Sequence, residues 1–284
     1  MESTCVLMSE GSFHATYLMS QWLEEFGASP SFGGVHVRDD PAREGLYRQR
    51  VRFHRAHAGK RVLTPGEHEE LRRLYGDLGE TDEAMLHLYG VPSLPEDLPG
   101  RLGFLGENLN APEVRVWAEE LCRREPSPYF FVFLDRLLAP WWIELAPDRI
   151  VNGHSAVLPH ARGMYATEQV AAQRDMERFR RCAGATVHFV DNGVDTGPLI
   201  RAERLRDPFA FESLWECKGA SFRTAFDLLV GVARDVSRRT DTLPAGLRVV
   251  APDDRDFRSK DFDRSRRAAA VAGYADMKRR ATAV

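Results

Sequence analysis

Residues Tyr129-Phe130-Phe131-Val132-Phe133-Leu134 form an uninterrupted apolar run. A strand with one wet face alternates apolar and polar side chains, so a run that is apolar at every position reads as a strand covered on both faces. Such a strand belongs inside a parallel sheet with helices on either side. The chain supplies the flanking parts. Upstream, Pro112 stands at a helix start, and Val114, Trp117, Leu121 and Cys122 recur at helical spacing. Downstream, a helix is expected near 137 to 145, followed by a strand through Arg149-Ile150-Val151.

The same alternation opens the chain. The stretch Met1 to Ser9 has no basic start and no long apolar core, so it reads as a first strand and not as an export signal. Glu10-Gly11-Ser12 follows as a loop. Tyr17, Leu18, Trp22, Leu23 and Phe26 then mark a helix ended by Gly27, and Gly33 to Arg38 is a second strand. A further strand is expected at 101 to 105, one polar helix from beyond Gly163 to about Cys182, and a strand at Ala185 to Val190. Repeated strand and helix predict an α/β fold with a doubly wound, mostly parallel sheet.

The 284 residues suit one catalytic domain over 1–202, with a helical insertion at about 39–99 and a helical C-terminal extension at 203–284 packed on it. The charged tail from Asp253 to Arg280 is expected to include a terminal helix. The insertion holds Arg43, Arg48, Arg50, Arg52 and Arg55 with His54, His57 and His68. It reads either as a solvated helical face or as a lid that brings cations to an anionic substrate. No apolar run approaches the ~20 residues of a membrane span, and a net charge of -3 gives no general attraction to nucleic acid. Cys5, Cys122, Cys182 and Cys217 are too far apart for a zinc or redox motif, which leaves free thiols of a reducing, cytoplasmic setting and no expected metal.

In doubly wound sheets ligands lie beyond the carboxyl ends of the strands, which places the residues after Val151 where chemistry is expected. Asn152 and His154 are two apart on an extended segment, so their side chains leave the same side. Together they offer an amide donor and a titratable imidazole. His188 precedes Asp195 by seven residues across the turn Asp191-Asn192-Gly193, which suffices to fold the carboxylate back toward the strand ends. A convergent Asn, His and Asp suits acyl transfer to an amine, in which donors stabilise a tetrahedral oxyanion and another group moves protons. A structural role for the same residues stays open at this point.

Val151-Asn152-Gly153-His154-Ser155-Ala156-Val157-Leu158-Pro159 with Arg162-Gly163, and Thr186 to Ile200 with its Asp191-Asn192-Gly193-Val194-Asp195-Thr196-Gly197-Pro198, resemble the two signatures of the folate-dependent formyltransferases. The resemblance covers about residues 127 to 202. Residues 1 to 38 are compatible with that family's first βαβ unit, and 39 to 126 do not match it closely. The resemblance implies a 10-formyltetrahydrofolate donor. It also implies that Asn152 and His154 bind the formyl oxygen, that Asp195 orients His154 and shares in proton transfer, and that His188 supports the Asp195 loop. Leu134, Arg136, Leu137 and Leu138, together with Asp191 and Val194, are the implied folate contacts, although apolar helix residues at 137 and 138 are also explained by core packing.

Gly153 and Ser155 depart from the family pattern, and Gly153 is expected to free space beside the two polar side chains. The loop at Glu10 to His14 is no Gly-x-Gly-x-x-Gly cradle, which argues against a nicotinamide enzyme. Ser12 and His14, at a helix start, are candidate substrate contacts. Residues 203 to 284 read as helix and loop with mixed charge, unlike the basic C-terminal β domain of the family's tRNA-acting members. The expected partner is therefore a small-molecule amine, such as an amino sugar or a specialised-metabolite intermediate, with no nucleic acid and no membrane, and a homodimer left open. A formyltetrahydrofolate hydrolase or a related one-carbon reaction, and a noncatalytic folate-binding module, are the competing readings.

Overall fold

A computed structural model describes residues 3–76, 78–125, 127–238, 243, 245–250 and 256–283. Met1 and Glu2 of the expected first strand, and Asp253 to Arg255 of the charged tail, lie outside the described residues. The strands are β1 (Cys5–Glu10), β2 (Phe32–Arg38), β3 (Leu102–Phe104), β4 (Tyr129–Phe133), β5 (Ile150–His154), β6 (Gly184–Phe189) and β7 (Leu199–Arg204). The α-helices are α1 (Ala15–Phe26), α2 (Glu44–His57), α3 (Pro65–Tyr75), α4 (Glu80–Tyr89), α5 (Pro112–Arg124), α6 (Pro140–Leu145), α7 (Ala166–Gln173), α8 (Met176–Cys182), α9 (Leu214–Ser237) and α10 (Arg264–Thr282).

The strands hydrogen-bond in one seven-stranded sheet in the order β3-β2-β1-β4-β5-β6-β7. β1 pairs in parallel with β2, Ser9 opposite Val37, and with β4, Ser9 opposite Phe133. The order reverses between β1 and β4, which is where a doubly wound sheet opens a crevice. β7 runs antiparallel to β6. The expected α/β class is the observed one, and β4 is buried at every position, as its unbroken apolar run requires.

The chain forms two compact units, Met1–Val151 with Val230–Leu243, and Asn152–Leu229 with Pro244–Val284; the division passes through β5. In the first unit, Trp22, Phe26 and Phe131 pack ring against ring, with centroids 4.6 and 5.3 Å apart. The segment 39–99 contains α2, α3 and α4, and most of its described arginines are exposed. Arg50 is not: it is buried between the rings of Tyr47 and Tyr75, and donates to the carbonyls of Leu74 and Gly11. The core of the second unit gathers Val170, Phe179, Phe209, Leu214, Tyr274 and Met277 around small alanines. α10 confirms the expected terminal helix. Among the described residues no helix is long and apolar enough to cross a membrane, and no cluster of His, Cys, Asp and Glu could hold a metal ion.

Three local expectations are corrected. The helix expected from Leu137 starts at Pro140, because proline takes the first helical position and holds Ala139 extended, at φ -67° and ψ 155°. Leu137 consequently lies in a loop and is 66% exposed, so core packing does not explain it. The single helix expected between Gly163 and Cys182 is broken in two: Arg174 is left-handed at φ 57°, and the Asp175 side chain caps the new start by accepting from the Arg178 amide. The edge strand β7 escapes a search for apolar alternation because four of its six residues are exposed.

Candidate active site

The carboxyl end of β5 delivers Asn152 and His154 to one side, since strand side chains alternate. Gly153 between them faces the opposite way. A Cβ there would meet Leu229 at 3.4 Å and the Ala225 carbonyl oxygen at 3.7 Å, both on α9. The room expected beside the two polar groups is therefore not made by Gly153, which instead lets α9 approach the strand.

β6 brings His188 to the same place, and the turn after it returns Asp195. Asp191 builds that turn, accepting from the Gly193 amide at 3.0 Å and the Thr196 hydroxyl at 2.6 Å. Asp195 itself is left-handed, at φ 50°, a conformation that costs an L-residue about 1 kcal/mol or more and is held only when its surroundings fix it. The fixing contact is the Gly163 amide, which donates to Asp195 Oδ2 at 2.8 Å. Gly163 is held in turn by the C-terminal segment: Phe257 donates to the Arg162 carbonyl at 2.9 Å and accepts from the Met164 amide at 2.8 Å.

Four side chains meet here. Asp195 Oδ2 lies 3.5 Å from His154 Nδ1, and Asp195 Oδ1 lies 3.3 Å from His188 Nε2. His188 Nε2 is also 3.1 Å from Asn152 Nδ2, while its Nδ1 donates to the Phe189 carbonyl at 2.7 Å. With Nδ1 donating to that carbonyl, Nε2 is left as the acceptor for Asn152 Nδ2. This fixes the amide with its NH2 toward His188 and keeps its second N–H available to a ligand. His154 Nε2 lies 3.2 Å from the Ala161 carbonyl, a contact long enough to be shared with an incoming acceptor.

Electrostatics divides the roles. Burial lowers the His154 pKa, Asp195 works against that shift, and the charge of Lys218 adds to it. Lys218 is buried and paired with Glu168 at 3.1 Å. Burial opposes ionisation of Asp195, yet His154, His188 and the Gly163 amide hold its carboxyl well below the usual range. The site is thus an ionised carboxylate shared by two imidazoles, with an amide N–H beside them. Ala161, Lys218 and Phe257 are parts of it that motif reading missed, and the amide of Gly163, quoted only as part of a signature, is another. Their contributions are backbone groups or long-range pairings, which leave no side-chain signature.

The remaining expected residues fall elsewhere. Val194 is half-buried in the Asp195 turn. Leu134, Arg136, Leu137 and Leu138 form the loop after β4 in the first unit, where Asn110 pins the backbone by donating to the Leu137 carbonyl at 3.0 Å and accepting from the Ala139 amide at 2.7 Å. Beside it Arg38 bridges Glu10 and Asp135 at the ends of β1 and β4. Ser12 and His14 lie in the loop after β1, also in the first unit, and His14 faces Asp82.

Part of the chain resembles known proteins. Residues 118–206 match the model of the formyl transferase family. That is the family read from the two signatures in the sequence. A formyltetrahydrofolate deformylase of Haemophilus influenzae is 30% identical over 95 residues, 33% of this chain and 32% of that protein. A phosphoribosylglycinamide formyltransferase of Bacillus subtilis is 37% identical over 68 residues, 23% of this chain and 31% of that protein. The chain thus spans about a third or less of the length of these curated formyl transferase relatives.

The fold extends further than the sequence likeness. A sugar N-formyltransferase from a Shewanella species superposes over 95% of this chain and 87% of its own, with a TM-score of 0.55 at 10% identity. The N-formyltransferase of Helicobacter canadensis, solved with folinic acid and dTDP-3-aminofucose, covers 95% and 79% with a TM-score of 0.53 at 12% identity. The fold is that of the formyl transferases.

Proposed function

We propose that this chain transfers a formyl group from 10-formyltetrahydrofolate to the amine of a small-molecule acceptor, such as an amino sugar or a specialised-metabolite intermediate. The observation that carries the reading is the meeting of Asn152, His154 and His188 around the ionised Asp195, inside the segment that matches the formyl transferase family. Attack of an amine on a formyl carbon creates an oxyanion and releases a proton. The free N–H of Asn152 and the ring of His154 supply donors to the oxyanion, and Asp195 stabilises the imidazolium that accompanies it. His188 keeps the Asn152 amide in its donating orientation.

The donor set suits a formyl oxygen, because its groups are neutral donors backed by one buried carboxylate and need no serine or cysteine nucleophile. The folate contacts proposed on this reading are Leu134, Arg136, Leu137, Leu138, Asp191 and Val194, and the proposed acceptor contacts are Ser12 and His14. The exposed Leu137 favours a ligand-facing role for its loop.

Hydrolysis of the same donor is the second reading, favoured by the likeness to the Haemophilus deformylase. Ultraviolet-monitored conversion of 10-formyltetrahydrofolate to tetrahydrofolate, with and without a panel of amino sugars and other amines, separates the two. Turnover that requires an amine and falls on the order of 10²-fold or more in Asn152→Ala supports transfer. Turnover without any amine supports the hydrolase, and folate binding with no turnover across the panel opposes both.

A further inference from the structure

The loop between β1 and α1, whose Ser12 and His14 are proposed above only as acceptor contacts, holds a second constellation with a hydrogen-bonded relay that formyl transfer does not need. His14 Nδ1 lies 2.8 Å from Asp82 Oδ1, and His14 Nε2 lies 3.2 Å from Ser12 Oγ. Asp82 is 8% exposed and is anchored twice by backbone, accepting from the His14 amide at 2.9 Å and from the Gly79 amide at 3.0 Å. Burial opposes its ionisation, but the hydrogen bonds and charge of His14 and the two amides hold its carboxyl below the ordinary range.

These contacts fix the tautomer. A carboxylate against Nδ1 keeps the proton there, so Nε2 presents its lone pair and the Ser12 hydroxyl donates to it. The histidine ring is braced from the side by the edge of Phe133, with centroids 5.9 Å apart. Ser12 and His14 are both half-buried, within reach of a small molecule, while Asp82 is buried behind them. Helix α1 begins immediately after His14, and the positive end of its dipole favours negative charge developing near Ser12. Nucleophile, base and orienting acid stand in the mutual geometry that defines such a triad, whatever their order in sequence.

We infer that Ser12, His14 and Asp82 form a Ser–His–Asp acyl-transfer site that cleaves small carboxylic esters. Ser12 Oγ adds to the acyl carbon as its proton passes to His14 Nε2. The tetrahedral adduct collapses, its C–O bond to the alcohol breaks, and the alcohol leaves with the proton from His14. Water then adds to the acyl-Ser12 ester, giving a proton to Nε2. Breakage of the Ser12 ester bond releases the carboxylic acid, and the proton returns to Oγ. Ser12 and His14 are the catalytic residues, and Asp82 is a positioning residue that acts through His14.

Treatment of the full chain with a fluorophosphonate probe, followed by peptide mapping, and its hydrolysis of p-nitrophenyl acetate test the site without any folate. The expected result is one probe on the peptide containing Ser12, and saturable ester hydrolysis that disappears in Ser12→Ala. His14→Ala is expected to lower turnover on the order of 10³-fold. Asp82→Asn is expected to lower it as well, with part of the loss recovered in Asp82→Glu, which a merely structural carboxylate would not produce. Variants are compared where circular dichroism and melting match the parent. A folded wild-type chain that takes no probe, or takes it on another residue, overturns the proposal, as does hydrolysis in Ser12→Ala equal to that of the wild type.

Discussion

Asp82 and Asp195 each face histidines, and they are held in opposite ways. Asp82 serves one ring at 2.8 Å from a regular helix, fastened by two backbone amides. Asp195 serves two rings at 3.5 and 3.3 Å from a left-handed turn residue, fastened by one amide. A short single contact fixes one tautomer in one orientation. A carboxylate divided between two rings stabilises a positive charge on either, which suits a site in which a proton changes place during turnover. The rigid support of Asp195 therefore has to come from outside its own turn, and it comes from Gly163 and the segment around Phe257.

The largest effect is expected at the shared carboxylate. Asp195→Asn should lower formyl-transfer turnover on the order of 10²-fold to 10³-fold, as loss of preorganised charge at a reacting centre does. Because Asp195 raises the pKa of His154 against burial, the variant should also move the His154 titration to lower pH, readable by NMR of the ring protons. Turnover within a few-fold of wild type, with an unmoved His154 titration, would remove Asp195 from the chemistry.

Next comes the support. Gly163 has φ 86°, and a Cβ there would run into the Phe257 carbonyl. Gly163→Ala should cost about 2 kcal/mol of stability through left-handed strain alone, and should lower turnover with it, because the amide that anchors Asp195 moves. Phe257→Ala keeps the backbone bridge and should be milder in both respects. Equal effects in the two variants, read by denaturant unfolding and by turnover, would show that the aromatic ring and not the backbone clamp carries the support.

This division also explains what the sequence disclosed. The buried strand β4 was legible because hydrophobicity without alternation has one structural meaning, and Asn152, His154, His188 and Asp195 were legible because it is their side chains that converge. The edge strand β7, with its charged Arg201, Glu203 and Arg204, carries no such signal. The loop at Leu137 was misread because apolar content was weighed above Pro140, whose fixed φ decides where the helix starts. Asp82 was invisible for another reason: it lies 68 residues from His14, in a segment with no matching motif, and only the folded chain brings the two together.

Acid stability should set the first unit apart. Burial lowers His54 and His36 to about 4, and the neutral form of His54 is built in, its Nδ1 donating to the Pro92 carbonyl and its Nε2 accepting from the Tyr75 hydroxyl. Both folded values lie below the unfolded ~6.5. The folded state is therefore unpenalised above that pH, and loses stability as pH falls from there to about 4, where the unfolded chain binds protons that the fold refuses. The loss is of order 3 kcal/mol for each ring by pH 4. His54→Gln, an isosteric donor and acceptor, should flatten this part of the stability curve. An unchanged slope in urea unfolding between pH 6.5 and 4 would assign the loss to other groups.

The smallest effect sharpens the comparison most. Asp82→Asn keeps an acceptor for only one of the His14 and Gly79 amides, which use different oxygens, and should cost about 1 kcal/mol at neutral pH, the usual worth of a capping group. Its signature is in pH dependence. The folded carboxyl is held below its unfolded value of ~3.9, so its contribution is fully present above that value and is lost as pH falls through the folded one. Removing the carboxylate should leave stability less dependent on pH in that acid range. Asp195, held below the usual range by two imidazoles as well as an amide, should show the same sign with a larger change. If Asp82→Asn flattens the acid limb more than Asp195→Asn does, the single short contact is the stronger electrostatic partnership, and the division between a fixed and a shared carboxylate fails.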